Sequence, residues 1–198
     1  MKPVSGNIGG EIEIIVQDKH GKTIKHFKKP MDSFVNNMLK LMTLFDAGAW
    51  NVIDTSGNTV GFTLKKATDL YWYDASILAP SEEDNYGILV GSSDAAFDVS
   101  QYNLQSKIPN GTGTGQLQYG ETSEVGEGSD YKTWQRAFDN LSGADVTVKE
   151  IGIAAKVVRE ESGILQTYYV LLARDVITST TVPNGGRLIV KYTFKINP

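Results

Sequence analysis

The stretch that decides the fold is Arg187-Leu-Ile-Val-Lys-Tyr-Thr-Phe-Lys-Ile196. Leu188, Val190, Tyr192, Phe194 and Ile196 fall on one side and Arg187, Lys191 and Lys195 on the other. Strict alternation places successive side chains on opposite faces, as a half-buried β-strand requires. Pro183-Asn-Gly-Gly186, a tight-turn sequence, precedes it. Upstream lies a second extended stretch, residues 165–174, with Tyr168, Tyr169, Leu171 and Leu172. Glu160-Glu-Ser-Gly163 reads as a hairpin turn, and Val146 to Val158 as one long strand or two, with Gly152 as a bulge. Asn140-Leu-Ser-Gly-Ala-Asp145 reads as the turn before them.

The same period recurs at the other end of the chain. Glu11 and Glu13 alternate with Ile12, Ile14 and Val16. Asp18-Lys-His-Gly21 supplies a turn and residues 22–28 a return strand, which Pro30 is expected to end. The period then changes. Phe34, Met38, Leu41, Met42 and Phe45 make one helical stripe, so an amphipathic helix is expected over about 33–45, with Asp32 or Ser33 as its cap. Its apolar face is expected on a sheet.

Between these ends, strands are expected at 59–64, 70–73, 85–91, 116–119 and 131–139, the last with Trp134 and Phe138 on one side. Loops are expected at 51–58 and 74–84, and long surface loops at 92–114 and 121–130. About ten strands separated by Gly, Asn and Asp turns, with one helix near the start, define a mainly β chain. An antiparallel β-sandwich or jelly-roll-like fold is expected, as a single domain over 1–198.

The chain has 198 residues, 19 Lys and Arg, 23 Asp and Glu, a net charge of −4 and no Cys. That excludes a disulfide framework, thiolate chemistry and a Cys-dependent zinc site. Residues 46–145 carry fifteen acidic and five basic side chains, whereas 1–45 and 146–198 each carry seven basic and four acidic. No segment is basic enough for a nucleic-acid binder. No apolar run is long enough to cross a bilayer as a helix, and the first residues lack the apolar core of a signal peptide, so synthesis in a cytoplasm is expected. Asn110-Gly-Thr and Asn140-Leu-Ser read as chance matches to a glycosylation pattern.

No catalytic set is visible, and no enzyme activity or cofactor is expected. His20 and His26 lie among lysines, one in a turn and one on the following strand. Glu11 with Glu13, and Glu121 with Glu124, Glu127 and Asp130, are acidic groups of the kind that solvated surfaces carry. Gly111-Thr-Gly-Thr-Gly115 lacks the Lys-Ser/Thr ending of a phosphate loop. Asp94, Asp98 and Asn103 are oxygen ligands without EF-hand spacing. Tyr71-Trp72-Tyr73, with Trp50 and Trp134, is the best aromatic platform for stacking on a sugar. Tyr71, Trp72, Tyr73, Asp98, Tyr102 and Asn110 are the candidate ligand or partner contacts.

Four phrases and the opening hairpin carry a resemblance. They are GKTIKHFKKPMDSFVNNMLKLM (21–42), GILVGSSDAAFDVSQYNLQSKIPNGTGTGQLQYG (87–120), FDNLSGADVTVKEIGIAAKV (138–157) and LLARDVITSTTVPNGGRLIVKYTFKI (171–196). Together they resemble a family of virion structural proteins of tailed phages and related archaeal viruses. The resemblance implies an assembly component, such as a capsid decoration, neck, tail or fibre-base subunit. It would be a homo-oligomer or dock on other virion proteins, with a glycan-binding host-adhesion module as the alternative. None of the phrases is a catalytic signature.

Overall fold

A computed structural model describes residues 7–31, 33–42, 49–63, 74–161 and 164–197. Its elements are β1 (Asn7–Gln17), β2 (Thr23–Met31), α1 (Asn36–Met42), β3 (Ala49–Ile53), β4 (Thr59–Thr63) and β5 (Asp74–Ser76). They continue with β6 (Gly87–Gly91), β7 (Gln118–Glu127), β8 (Tyr131–Asp139), β9 (Val146–Glu161), β10 (Ile164–Val182) and β11 (Arg187–Asn197). The chain is mainly β, and among the described residues every pair of strands is antiparallel, as the alternation predicts.

One sheet has five strands in the order β2-β1-β11-β8-β7. β11, the strand read first from the sequence, sits at its centre. Ile12, Ile14 and Val16 of β1, Leu188, Val190 and Tyr192 of β11 and Phe138 of β8 are fully buried on its inner face. The second sheet runs β10-β9-β5, with β6 also paired to β9. Its inner face contributes Ile88, Val90, Ile151, Ile153, Val170 and Ala173. The two apolar faces bury each other, which is the main stabilisation of a β-sandwich. A small hairpin, β3-β4, forms the third sheet.

Side chains also cross between the sheets. Asp175 of β10, fully buried, accepts a hydrogen bond from Tyr192 Oη at 3.3 Å and pairs with Lys29 Nζ of β2 at 3.1 Å. Burial and the neighbouring carboxylate push the Tyr192 phenol well above its ordinary pKa, so it stays a donor.

Several expectations need correction. Pro30 does not end its strand: it lies within β2, opposite Glu11. β2 is an edge strand, where a missing N–H need not break the ladder. The helix is shorter than 33–45. Phe34 bridges to Ala173, and the Ser33 carbonyl accepts from Arg174 N, so this segment extends the edge of β10 before α1 begins. Met38 and Phe34 do pack on the core as the stripe requires. Phe45, and the strand expected at 70–73, lie outside the described residues.

Residues 51–53 are strand rather than loop, and 74–76 form β5. The acidic loop expected at 121–130 is mostly strand, because β7 runs to Glu127. Its register against β8 shifts between Tyr119 and Thr122 and again between Glu124 and Gly126, and these bulges hide the alternation. Gly152 is in register with Arg174 and is not a bulge; the shifts of this sheet lie in β10. Ile196, expected inward, is 58% exposed near the end of β11.

Arg136 of β8 fixes how the sheets meet. It is fully buried with no carboxylate on its fork. Nε donates to Gly120 O at 2.7 Å, Nη1 to Tyr86 O and Ile88 O at 3.1 and 3.0 Å, and Nη2 to Pro80 O at 3.1 Å and to Glu83 O. All five N–H donors of the guanidinium are used. Its carbon lies 4.7 Å from the Tyr119 ring centroid, in cation–π range. Burial lowers its pKa to about 10, which still leaves it charged at neutral pH.

Arg136→Lys keeps a charge but supplies three donors for five carbonyls. It should lower the unfolding free energy by about 2–3 kcal/mol, and Arg136→Met by about 3 kcal/mol or more. Urea unfolding measures both; a midpoint within error of wild type would refute this role.

Candidate interaction surface

The middle of the outer face of the β9–β10 sheet is buried, because residues 92–110 lie over it. Here Glu150, Gly152, Ala154, Leu171 and Arg174 are buried. Leu104 descends onto Gly152: a Cβ there would come within 2.8 Å of Leu104 Cδ2, so only glycine admits the contact. The segment also pairs with the edge of β6, through Ile108 N to Val90 O at 2.9 Å, and is tied to itself by Ser92 N to Ser106 O at 2.8 Å.

An ion pair holds it down. Arg174 Nε donates to Glu150 Oε2 at 2.6 Å, and both side chains are completely buried. Glu150 then accepts from the backbone of Gln105 at 3.1 Å and Ser106 at 2.7 Å. Arg174 donates onward to Gln101 Oε1 at 3.1 Å and Ala95 O at 2.9 Å. Two buried charges on the sheet therefore bond polar groups towards both ends of an irregular segment. The long excursion expected at 92–114 is present, and it is pinned.

The candidate contacts separate. Asp98 is exposed and accepts from Ser100 N and Oγ at 2.8 and 2.6 Å; these bonds hold its carboxyl below the usual range. Tyr102 lies against Gly57 in the β3–β4 turn. Asn110 is half-buried: its Oδ1 accepts from Tyr119 N at 3.0 Å, and its N donates to Asp84 Oδ2 at 2.7 Å. Asp98 and Tyr102 thus belong to one surface, while Asn110 serves the join to β7. Tyr71, Trp72 and Tyr73 lie outside the described residues. Trp134 packs edge-on against Phe194 with centroids 5.1 Å apart.

Beside Tyr102, the excursion and the β3–β4 turn enclose a cleft of about 270 Å³. Leu89, Leu104 and Leu171 line its apolar part, and Thr55, Ser56, Asn85 and Asn103 its polar part. Lys107 pairs with Asp84 at 2.9 Å on the same wall.

The acidic groups do not converge. Glu11 pairs with Lys28 at 2.8 Å, and Glu13 with His26 at 2.7 Å and Lys191 at 3.0 Å. Partial burial raises the Glu13 pKa, but the hydrogen bonds from Lys191 and His26, with nearby lysine charge, outweigh that and lower it overall. Glu124 and Glu127 share Lys132. Among the described residues no three His, Asp or Glu side chains gather as a metal site would need. Gly111 to Gly115 is a tight turn in which Gln116 Oε1 accepts from Gly113 N at 2.8 Å.

Among the exposed apolar side chains of the described residues, two groups are neighbours in sequence. Phe97 and Val99 project from the excursion near α1, whose Asn36 N donates to Val99 O at 2.9 Å. At the far end of the β9–β10 hairpin, Ile164 and Leu165 are 61% and 67% exposed. At about 3.3 Å per residue, β10 alone reaches about 60 Å. Among the described residues no helix is long and apolar enough to cross a membrane.

Neither the family models, nor the curated proteins, nor the solved structures contain a match to this chain.

Glu150→Gln leaves the Arg174 charge buried and weakens both backbone contacts. The expected result is fast amide hydrogen exchange at Gln105 and Ser106 while the β9–β10 ladder stays protected, with about 3 kcal/mol lost from closure of the excursion. Unchanged protection at these two amides would show that the pair does not hold the segment.

Proposed function

We propose that this chain is a non-enzymatic structural subunit of a virus particle, made in the host cytoplasm and assembled with itself or with capsid or tail proteins through β surfaces and loops. The observation that carries the reading is the pinned excursion. A segment without regular structure is fixed by a completely buried ion pair, yet turns Phe97 and Val99 to the outside. A preordered surface loses less entropy on association than a mobile loop. The exposed Ile164 and Leu165 at the tip of a long hairpin favour the same reading, and so do the four phrases that resemble virion proteins. Acidic side chains paired off with lysines give hydrolysis no convergent acid and base.

Mass measurement on the purified protein and peptide analysis of particles test this. The expected results are an oligomer in solution and the chain present in virions at a fixed copy number. A strict monomer absent from particles would overturn it.

The cleft beside Tyr102 favours a second reading, a carbohydrate-binding module for host adhesion. An apolar floor with hydroxyl and amide groups at its edge suits a sugar ring, whose C–H face stacks while its hydroxyls are hydrogen-bonded. On a glycan array, wild type should bind a defined set of sugars and Asn103→Ala should lose about tenfold in affinity, the worth of one hydrogen bond. No binding by wild type would remove this reading.

A further inference from the structure

The two ends of the five-stranded sheet are unlike each other, and they match. β2 and β7 are its edge strands, about 19 Å apart across four strand spacings. The β7 edge is covered only in its first half, where Glu82 N donates to Tyr119 O and Thr122 N to Ala79 O. Among the described residues, no backbone group is bonded to the outer edge of residues 123–127 of β7 or of β2.

Each edge has a register break in its uncovered part. In β2, Val16 pairs with Lys25 and Gln17 with Thr23, so Ile24 is the extra residue. In β7, Glu124 pairs with Trp134 and Gly126 with Thr133, so Val125 is the extra residue. Both extra residues are aliphatic and turned to solvent, Ile24 at 52% exposure and Val125 at 49%. A solvated bulge has no need of an aliphatic side chain.

The charges around them are opposite. Residues 10–31 carry five lysines against three carboxylates, whereas 118–139 carry five carboxylates against Lys132 and Arg136. β2 itself holds Lys25, Lys28 and Lys29 with no acid, and β7 holds Glu121, Glu124 and Glu127 with no base. All three lysines are engaged within the chain, Lys25 with Ser179 O and Thr180 Oγ1, Lys28 with Glu11 and Lys29 with Asp175, and Glu124 pairs with Lys132, but the net sign at each edge remains. Pro30 limits the usable part of β2 to the residues before it.

We infer that the occupant of each edge is a second copy of this chain, joined head to tail: β2 of one copy adds to β7 of the next. Ile24 meets Val125 at the centre, and lysines face glutamates around them. Strand addition satisfies the free backbone groups, and opposite charge fixes which edge meets which. Joining unlike patches is a heterologous contact, which closes into a ring or continues as a filament. Like-with-like pairing would place lysines against lysines or glutamates against glutamates. This inference rests on the assembly reading above and names its contact.

The test uses the full chain with Ile24→Asp and Val125→Lys, two exposed bulge positions, and circular dichroism to verify that each variant is folded. Light scattering should give wild type as an oligomer that dissociates as salt rises. Each variant alone should scatter as the 21.6 kDa monomer. Ile24→Asp faces glutamates and Val125→Lys faces lysines, so each blocks one edge. An equimolar mixture should regain the wild-type mass, because the carboxylate introduced in one variant then meets the ammonium introduced in the other, and the untouched edges meet each other. If wild type assembles and both variants still do, the edge contact is wrong while the assembly reading stands. Loss in only one variant, or no rescue in the mixture, shows an interface other than head to tail. A wild-type monomer at every concentration overturns the inference, and the assembly reading falls with it if particles also lack the chain.

Discussion

A polar group taken out of water must find a partner inside the protein, and two arginines carry most of that requirement here. The β-strands satisfy their own backbones. The irregular segments, residues 77–86 along the edge of β7 and residues 92–110 over the second sheet, cannot. Arg136 reaches three carbonyls of the first segment, one of β6 and one of β7, and Arg174 with Glu150 reaches both ends of the second. A guanidinium suits this task because its donors are fixed in a plane and its charge persists when buried. A lysine would bring fewer donors and a point charge.

The consequence is a molecule with two different outer faces. The middle of the second sheet is buried on both sides, since the excursion covers it and Leu104 packs over Gly152. The outer face of the first sheet is wet and carries paired charges, with Glu11–Lys28, Glu13–His26 and Glu13–Lys191 lying across β2, β1 and β11. Surface pairs of this kind contribute little net stability. They keep the charges of this face balanced among its own strands.

The fold was legible where alternation was unbroken. β1, β8 and β11 could be read from side-chain period because each lies within a sheet and buries one regular face, whereas β9, buried on both faces at residues 150–155, reads as one long extended stretch or two. β7 could not, because its two bulges shift the period and Gly120, Glu121 and Gly126 read as loop residues. β2 was cut short because proline in a strand is a stop signal only where the N–H is needed. The site was less legible, although signals existed. Arg136 shares the parity of Trp134 and Phe138, so it had to point inward. Glu150 and Arg174 stand inside apolar runs, VKEIGIAA and LLARDVI, where an unpaired charge would be costly. Their pairing across two strands was hidden until the register placed Glu150 opposite Val176 and Gly152 opposite Arg174.

Cross-strand register also explains why the excursion can be long without being loose. A segment of this length with no ladder of its own would ordinarily fray, because ordering each backbone unit costs about 1–2 kcal/mol. Here the anchors are spaced along the segment: Ala95 and Gln101 on Arg174, Gln105 and Ser106 on Glu150, Ile108 on β6 and Asn110 on Asp84. Only short stretches lie free between one anchor and the next, so each loop closes at small entropic cost. Phe97 and Val99 fall between the first two anchors. Their exposure therefore belongs to a tethered surface, and that distinguishes a built contact from a frayed loop.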